Sequence, residues 1–286
     1  SAAAATTVAS ARQAMEGVPM KIRDDGTVSR LLKDVRLPRM FHAAQRFADT
    51  HIKREEIEAA IFHEISRSGM ALRIRPGMRV AITAGSRGIR NVDEITRSIA
   101  AFVKSRGAVP FIVPAMGSHG GATAEGQTEL LAGYGITPDA MGCEILSSME
   151  TELLGYSDLG KPVYMDKNAY EADGVILSCR LKPHNAFRGP VESGPCKMMT
   201  VGLGKQKGAE QVHADGMDII AKNIPSIARV TLGTGKILFA LPCLENAYDQ
   251  TMMFEAIAPE HILRREEELL KIAFANMPSI LVGAGD

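Results

Sequence analysis

The chain lacks an excess of charge of either sign: 33 lysines and arginines balance 33 aspartates and glutamates. Net charge therefore draws it neither to nucleic acid nor to an anionic membrane surface. It also lacks any apolar run approaching the roughly 20 residues that span a bilayer. The alanine-rich start has no basic region followed by an apolar core, so no secretory signal is read there and a cytoplasmic location is expected. The four cysteines, Cys143, Cys179, Cys196 and Cys243, include no close pair, which argues against a disulfide framework and an iron–sulfur cluster alike. Reduced, packed thiols are expected instead. Neither a Walker loop nor Gly-x-Gly-x-x-Gly is present, so a nicotinamide dinucleotide has no fingerprint here.

What is present can fill a substantial core: 286 residues, 45% hydrophobic and 23% charged, amount to one large or two ordinary domains. Residues 1–36 mix small residues and breaks and read as an N-terminal extension. Helical spacing of apolar residues runs from Phe41 to Ile65, and His42, His51 and His63 within it read as ordinary helix histidines. Met78–Ala84 reads as a buried strand, Gly85–Gly88 as a turn, Val92–Ser105 as an amphipathic helix and Val109–Val113 as a second strand. That order makes a parallel α/β sheet, and ligands of such sheets gather at the carboxyl ends of the strands. Arg87 in the first turn offers a planar fork for a carboxylate or phosphate, with Ser86 beside it. The loop Pro114–Thr123 follows the second strand with Ser118 and His119 among its glycines. Leading into a helix from Glu125, it is a candidate to present backbone N–H groups to an anion.

The densest chemistry lies between Cys179 and His213, directly after the strand Gly174–Ser178. Arg180, Lys182 and His184 alternate along an extended exit and are placed to line one wall of a cleft. Lys197 stands in an otherwise uncharged run. Burial disfavours its charged form and moves its amine toward the neutral nucleophile that bonds to carbonyl or thioacyl carbon. Farther on, Ile219–Ile227 reads as helix and Ile237–Leu241 as strand. Pro259–Phe274 reads as a helix with Arg264-Arg265 and Glu266-Glu267-Glu268 on its wet side. Ser279–Val282 reads as a further strand.

Several motifs together carry a resemblance. Ala115-Met116-Gly117-Ser118-His119-Gly120-Gly121-Ala122-Thr123, Lys182-Pro183-His184 with Phe187-Arg188-Gly189, Glu192-Ser193-Gly194 ahead of Lys197, and Gly202-Leu203-Gly204-Lys205-Gln206-Lys207-Gly208 resemble the N-terminal domain of the lactate racemase family. The likeness runs from about Leu37 to His213 and is strongest to the branch sharing the turn Gly85-Ser86-Arg87-Gly88-Ile89. It implies a Rossmann-like, mostly parallel sheet flanked by helices over 37–270, with 271–286 beginning a second, C-terminal α/β domain that would complete the cleft.

The resemblance also implies a cofactor: a nickel pincer nucleotide, Ni-pyridinium-3,5-bisthiocarboxylic acid mononucleotide, joined to Lys197 through a thioamide, with His213 on the nickel. The isolated protein need not carry it. By the same likeness His119 and His184 are acid and base on opposite faces of a 2-hydroxy acid, and Arg87 and Ser86 contact the substrate. Lys182, Arg180, Ser118 and Gly202 are candidates for cofactor contacts, and Arg180, Lys182 and Lys205 for phosphate. One histidine would take the hydroxyl proton while hydride leaves Cα for the ring, and return from the other face would invert the centre. Active racemases of the family carry an acidic residue three positions before the turn arginine. Ala84 stands there here, which leaves the 2-hydroxy acid open. Competing readings are a non-catalytic nucleotide- or anion-binding domain of the same fold and a lysine Schiff-base enzyme. A homodimer is compatible with the sequence; nucleic acid and membrane are not expected partners.

Overall fold

The computed structural model describes residues 26–35 and 44–280. By its contacts the chain divides after Ala44. In the first unit the described element is a short helix, α1 (Thr27–Leu31). The second unit begins with irregular chain. Ile52 N–H donates to Thr251 O at 2.7 Å, and the helix expected from Phe41 starts only at α2 (Ile57–Arg67). Residues 41–43, with His42, lie outside the described residues, and His51 and His63 are exposed. Residues 44–53 therefore run as an irregular strap rather than as a helix face.

Strand β1 (Arg79–Ala84), helix α3 (Val92–Ser105) and strand β2 (Val109–Pro114) form the expected unit, with β1 and β2 parallel. Then come α4 (Ala124–Gly133), α5 (Pro138–Met141) and the edge strand β3 (Glu144–Ile145). A separate antiparallel hairpin, β4 (Thr151–Tyr156) and β5 (Pro162–Asp166), turns through Asp158–Lys161 and leads by α6 (Lys167–Glu171) into β6 (Gly174–Arg180). A helical run follows: α7 (Pro195–Lys197), a π-helical turn over Met198–Gly202, α8 (Lys205–His213) and α9 (Met217–Gly233). β7 (Ile237–Glu245), β8 (Thr251–Phe254) and α10 (Ile262–Ala275) complete the unit.

The main sheet has the order β3-β2-β1-β6-β7-β8, parallel except for β8. Both faces are covered, and successive side chains alternate between two cores as the pleat requires. Ala81, Val175 and Leu177 pack on one side with Met199, Val212 and Ile224; Val80, Ile82 and Ile176 pack on the other with Ile61, Ile95 and Ile99. β7 continues past the expected Leu241 to Glu245 with Pro242 within it, and β8 was not foreseen. α10 crosses residue 270 with Leu269, Leu270 and Ala273 in the same core. The strand expected at 279–282 lies mostly outside the described residues. Among the described residues no helix is long and apolar enough to cross a membrane.

A buried cation joins three of these elements. Lys205 is fully buried, 3.0 Å from an equally buried Asp166 carboxylate, and its Nζ donates to Pro114 O at 2.5 Å and Gln127 Oε1 at 3.2 Å. Two hydrogen-bond acceptors and the opposite charge of Asp166 surround the ammonium group. Burial pushes Lys205 down and Asp166 up, and each charge opposes that shift in the other. Lys205 is thus a structural cation, not a phosphate contact. Breaking a buried pair from one side strands the other charge, which costs about 3–5 kcal/mol. Lys205→Met should lower unfolding stability by that order in urea, and Asp166→Asn added to it should recover part of the loss.

Candidate functional site

The sheet order places a switch between β1 and β6: the chain leaves β1 toward β2 on one side and later returns to β6 on the other. Loops after the carboxyl ends of strands at such a point enclose a crevice. Arg87 follows β1, His119 follows β2, and His184 follows β6. Lys197 and His213 come from the helical run, at the end of α7 and the end of α8.

These five groups share one electrostatic environment. Burial, then Arg87 and Lys197, lowers the His119 pKa; its ring is nonetheless exposed at the mouth. Burial pushes His184 down to about 4, helped by Lys197, Lys182, Arg87 and His213, so its imidazole is neutral at physiological pH. Lys197 is half-buried and pushed down to about 8 by burial, with Arg87 and Lys182 adding to the effect. Among the described residues the side-chain nitrogens of Arg87, Lys182 and Lys197 have neither a hydrogen bond nor a carboxylate partner.

Backbone partners set the imidazole tautomers. His213 Nδ1 lies 2.6 Å from Ala209 O, which only accepts, so Nδ1 carries the proton and the Nε2 lone pair is free. His184 Nδ1 accepts from Ala186 N–H at 3.1 Å, so its neutral ring carries the proton on Nε2. His119 Nδ1 is 2.5 Å from Ser86 Oγ, and a hydroxyl either gives or takes that bond. His119 can therefore switch tautomer without moving.

Each side chain has a supporting group. Glu192, 1% exposed, accepts from His184 N–H at 2.6 Å and Gly189 N–H at 3.3 Å, closing the loop after β6. Buried Gln127 donates to Gly117 O at 2.9 Å and His119 O at 3.1 Å. Gly117 N–H reaches Gly202 O at 3.4 Å, and a Cβ on Gly202 would lie 2.8 Å from Ala115 O, so Gly202 lets the His119 loop meet the π-helical turn. Below Lys197, Glu266 on α10 accepts from Cys196 N–H at 2.8 Å. A Cβ on Gly194 would strike the other oxygen of Glu266 at 2.5 Å.

Several expectations need correction. Glu266 was read on the wet side of its helix, but it is 1% exposed because α10 packs it beneath the start of α7. In the loop 114–123, the candidate to present backbone N–H groups to an anion, His119 N–H, Ala122 N–H and Thr123 N–H already bond within the loop and Gly126 N–H bonds to the Thr123 cap. Arg180 is engaged by Glu245 at 2.7 Å and Asp249 at 3.1 Å. Lys182 pairs through its backbone with Ser193 and keeps its amine free; Ser118 is exposed beside His119. Cys179, Cys196 and Cys243 are buried free thiols pushed up by burial, and Cys143 is a half-buried free thiol. A concavity lined by Arg54, Glu58, Phe62, Glu94 and Arg97 draws on no site residue, and both of its arginines pair with Glu94.

The family described as lactate racemase N-terminal domain matches residues 24–222. The chain belongs to that family. A solved structure of the lactate racemase apoprotein from Thermoanaerobacterium thermosaccharolyticum has the same fold, with TM-score 0.53 and 14% identity. The match covers 77% of this chain and 55% of that one, so this lactate racemase-like chain spans little more than half the length of that protein. No curated protein matches the chain. The family match spans every site residue from Ser86 to His213 and ends before Glu245 and Glu266.

Glu266 gives a stability signature. Burial raises its pKa from 4.5 to about 7, so the folded state holds a proton that the unfolded state releases. Its contribution is present below pH 4.5 and is lost as pH rises through 7, on the order of 3 kcal/mol in total. Glu266→Gln keeps an acceptor for Cys196 N–H. Relative to the parent its stability should increase between pH 5 and pH 8 in denaturant titrations, whereas parallel curves would refute the assignment.

Proposed function

We propose that the chain is the cofactor-bearing part of a racemase or epimerase acting on a 2-hydroxy acid, with a nickel pincer nucleotide attached through Lys197. The observation that carries this reading is the Lys197 amine itself: half-buried, without a carboxylate partner among the described residues, pushed down to about 8, and set among the histidines of the crevice. A lysine in that state is a nucleophile rather than a salt-bridge partner.

The residues fit the group in two further respects. His213 offers a free Nε2 lone pair with its other nitrogen anchored, the arrangement of a metal-ligating imidazole. Among the described residues no cluster of at least three His, Cys, Asp or Glu side chains could hold a metal by itself. A single protein ligand therefore suits a metal whose remaining donors arrive with the cofactor. When bound, the group supplies a hydride acceptor tuned by its nickel and sulfurs.

The chain's own residues do the rest. Arg87 has its guanidinium free for the substrate carboxylate, and Lys182 brings a second unpaired cation to the same crevice. His119 acts as base in its Nδ1–H tautomer, donating to Ser86 Oγ while Nε2 accepts the substrate hydroxyl proton. Ser86 Oγ goes on accepting from Nδ1–H in the imidazolium that results, and the Nε2–H of that ion returns the proton when the reaction runs in reverse. His184 presents a hydrogen-bond donor instead of a lone pair while Ala186 N–H holds Nδ1. It becomes a base once that bond opens, so movement of the 184–192 loop is coupled to its turn in the reaction.

Co-expression with enzymes that build the cofactor should yield an intact-mass increase located at Lys197 and about one nickel per chain. Lys197→Ala should remove both. His213→Ala should keep the adduct and lose most of the nickel. Unmodified mass and no nickel under these conditions would favour a non-catalytic anion-binding domain of the same fold.

A further inference from the structure

The turn that carries Arg87 is pinned on both sides of that residue, although the Arg87 side chain itself bonds to none of the described residues. Before it, Tyr134 Oη–H donates to Ser86 O at 2.6 Å. After it, Arg90 N–H donates to Glu245 Oε1 at 2.8 Å, and Thr251 Oγ–H donates to Arg90 O at 3.3 Å. The other oxygen of Glu245 lies 2.7 Å from Arg180 Nη1, which also reaches Gly88 O at a long 3.5 Å. Asp249 takes the second Arg180 nitrogen at 3.1 Å. The Glu245 side chain is 2% exposed, so one buried carboxylate both neutralises Arg180 and holds the turn.

We infer that Glu245, braced by Arg180, is a positioning residue that aims Arg87 at the His119 imidazole and the anion it would grip. The inference rests on the reading of Arg87 as a site residue. Arg180 thereby gains a role in the brace, distinct from any contact with cofactor. Physically, a buried charged acceptor on a backbone N–H is among the stronger hydrogen bonds, and here it fixes the turn three residues after Arg87. An exposed arginine on an unpinned turn would spend its time in water, at the cost of the preorganisation that carboxylate recognition requires.

The test needs neither cofactor nor turnover. The His119 pKa, followed by NMR titration of the imidazole and assigned with His119→Gln, reports on Arg87, whose charge lowers it. Arg87→Ala should shift it upward. Glu245→Ala should also shift it upward, and the double variant should show no further rise, because the same charge has been removed twice. Glu245→Gln keeps an acceptor for Arg90 N–H and should restore the parent value. If Glu245→Ala does not fold by circular dichroism, Glu245→Asp withdraws the acceptor by one methylene while keeping the charge against Arg180, and should shift His119 in the same direction. An unmoved His119 in a folded Glu245→Ala or Glu245→Asp variant would overturn the inference, as would full additivity with Arg87→Ala. Absence of a nickel adduct on Lys197 would leave these titrations untouched, so failure of the functional reading and failure of this one are told apart.

Discussion

The Lys205 ammonium group is the constraint on which the crevice depends. It draws together the end of β5 through Asp166, the end of β2 through Pro114 O, and α4 through Gln127. Gln127 then passes the constraint to the His119 loop through its bonds to Gly117 O and His119 O. Lys205 itself holds a left-handed backbone, φ 55°, a conformation costing roughly 1–2 kcal/mol for a residue with a side chain. A cation held by an ion pair and two hydrogen bonds is able to hold that geometry. The π-helical turn just before it, closed by Leu203 N–H to Met198 O at 2.8 Å, sets the offset between Lys197 and His213. Such turns recur where a helix must present side chains out of ordinary register.

Above this rigid floor the charges are arranged the opposite way. Among the described residues Arg87, Lys182 and Lys197 converge without a carboxylate bonded to any of them; burial first, and the repulsion of these cations after it, keeps the His184 imidazole neutral, lowers His119 and holds the Lys197 amine near 8. The two carboxylates close at hand, Glu245 and Asp249, are spent on Arg180. A folded chain tolerates such an uncompensated cluster where a ligand brings the missing charge, and the local rule of paired charges is broken at functional sites more than elsewhere.

Much of this was legible from residues alone. The β1–α3–β2 unit followed from buried runs, a glycine turn and helical spacing, and the unit in turn put Arg87 and His119 at strand ends. The clustering of His184, Lys197 and His213 came from their density along one polar stretch. What the sequence hid was pairing at long range. Nothing near Lys205 announces Asp166, which lies 39 residues earlier at the end of another strand. Glu266 stands in a run of acids whose neighbours are solvated, and only the packing of α10 under α7 shows which one is inside. Glu245 and β8 were missed for a related reason: Pro242 disguised the second half of β7. The helix expected from Phe41 is irregular chain over residues 44–53, so apolar spacing does not distinguish a helix face from a strap tied at Ile52 N–H to Thr251 O on β8.

The most direct measurement is a crystal structure of the cofactor-loaded chain with anomalous data at the nickel edge. The account predicts a single nickel peak at bonding distance from His213 Nε2, with electron density continuous from the cofactor to Lys197 Nζ and the imidazoles of His119 and His184 facing the same cavity. A nickel peak away from His213, or a cofactor bound with Lys197 left free, would contradict it.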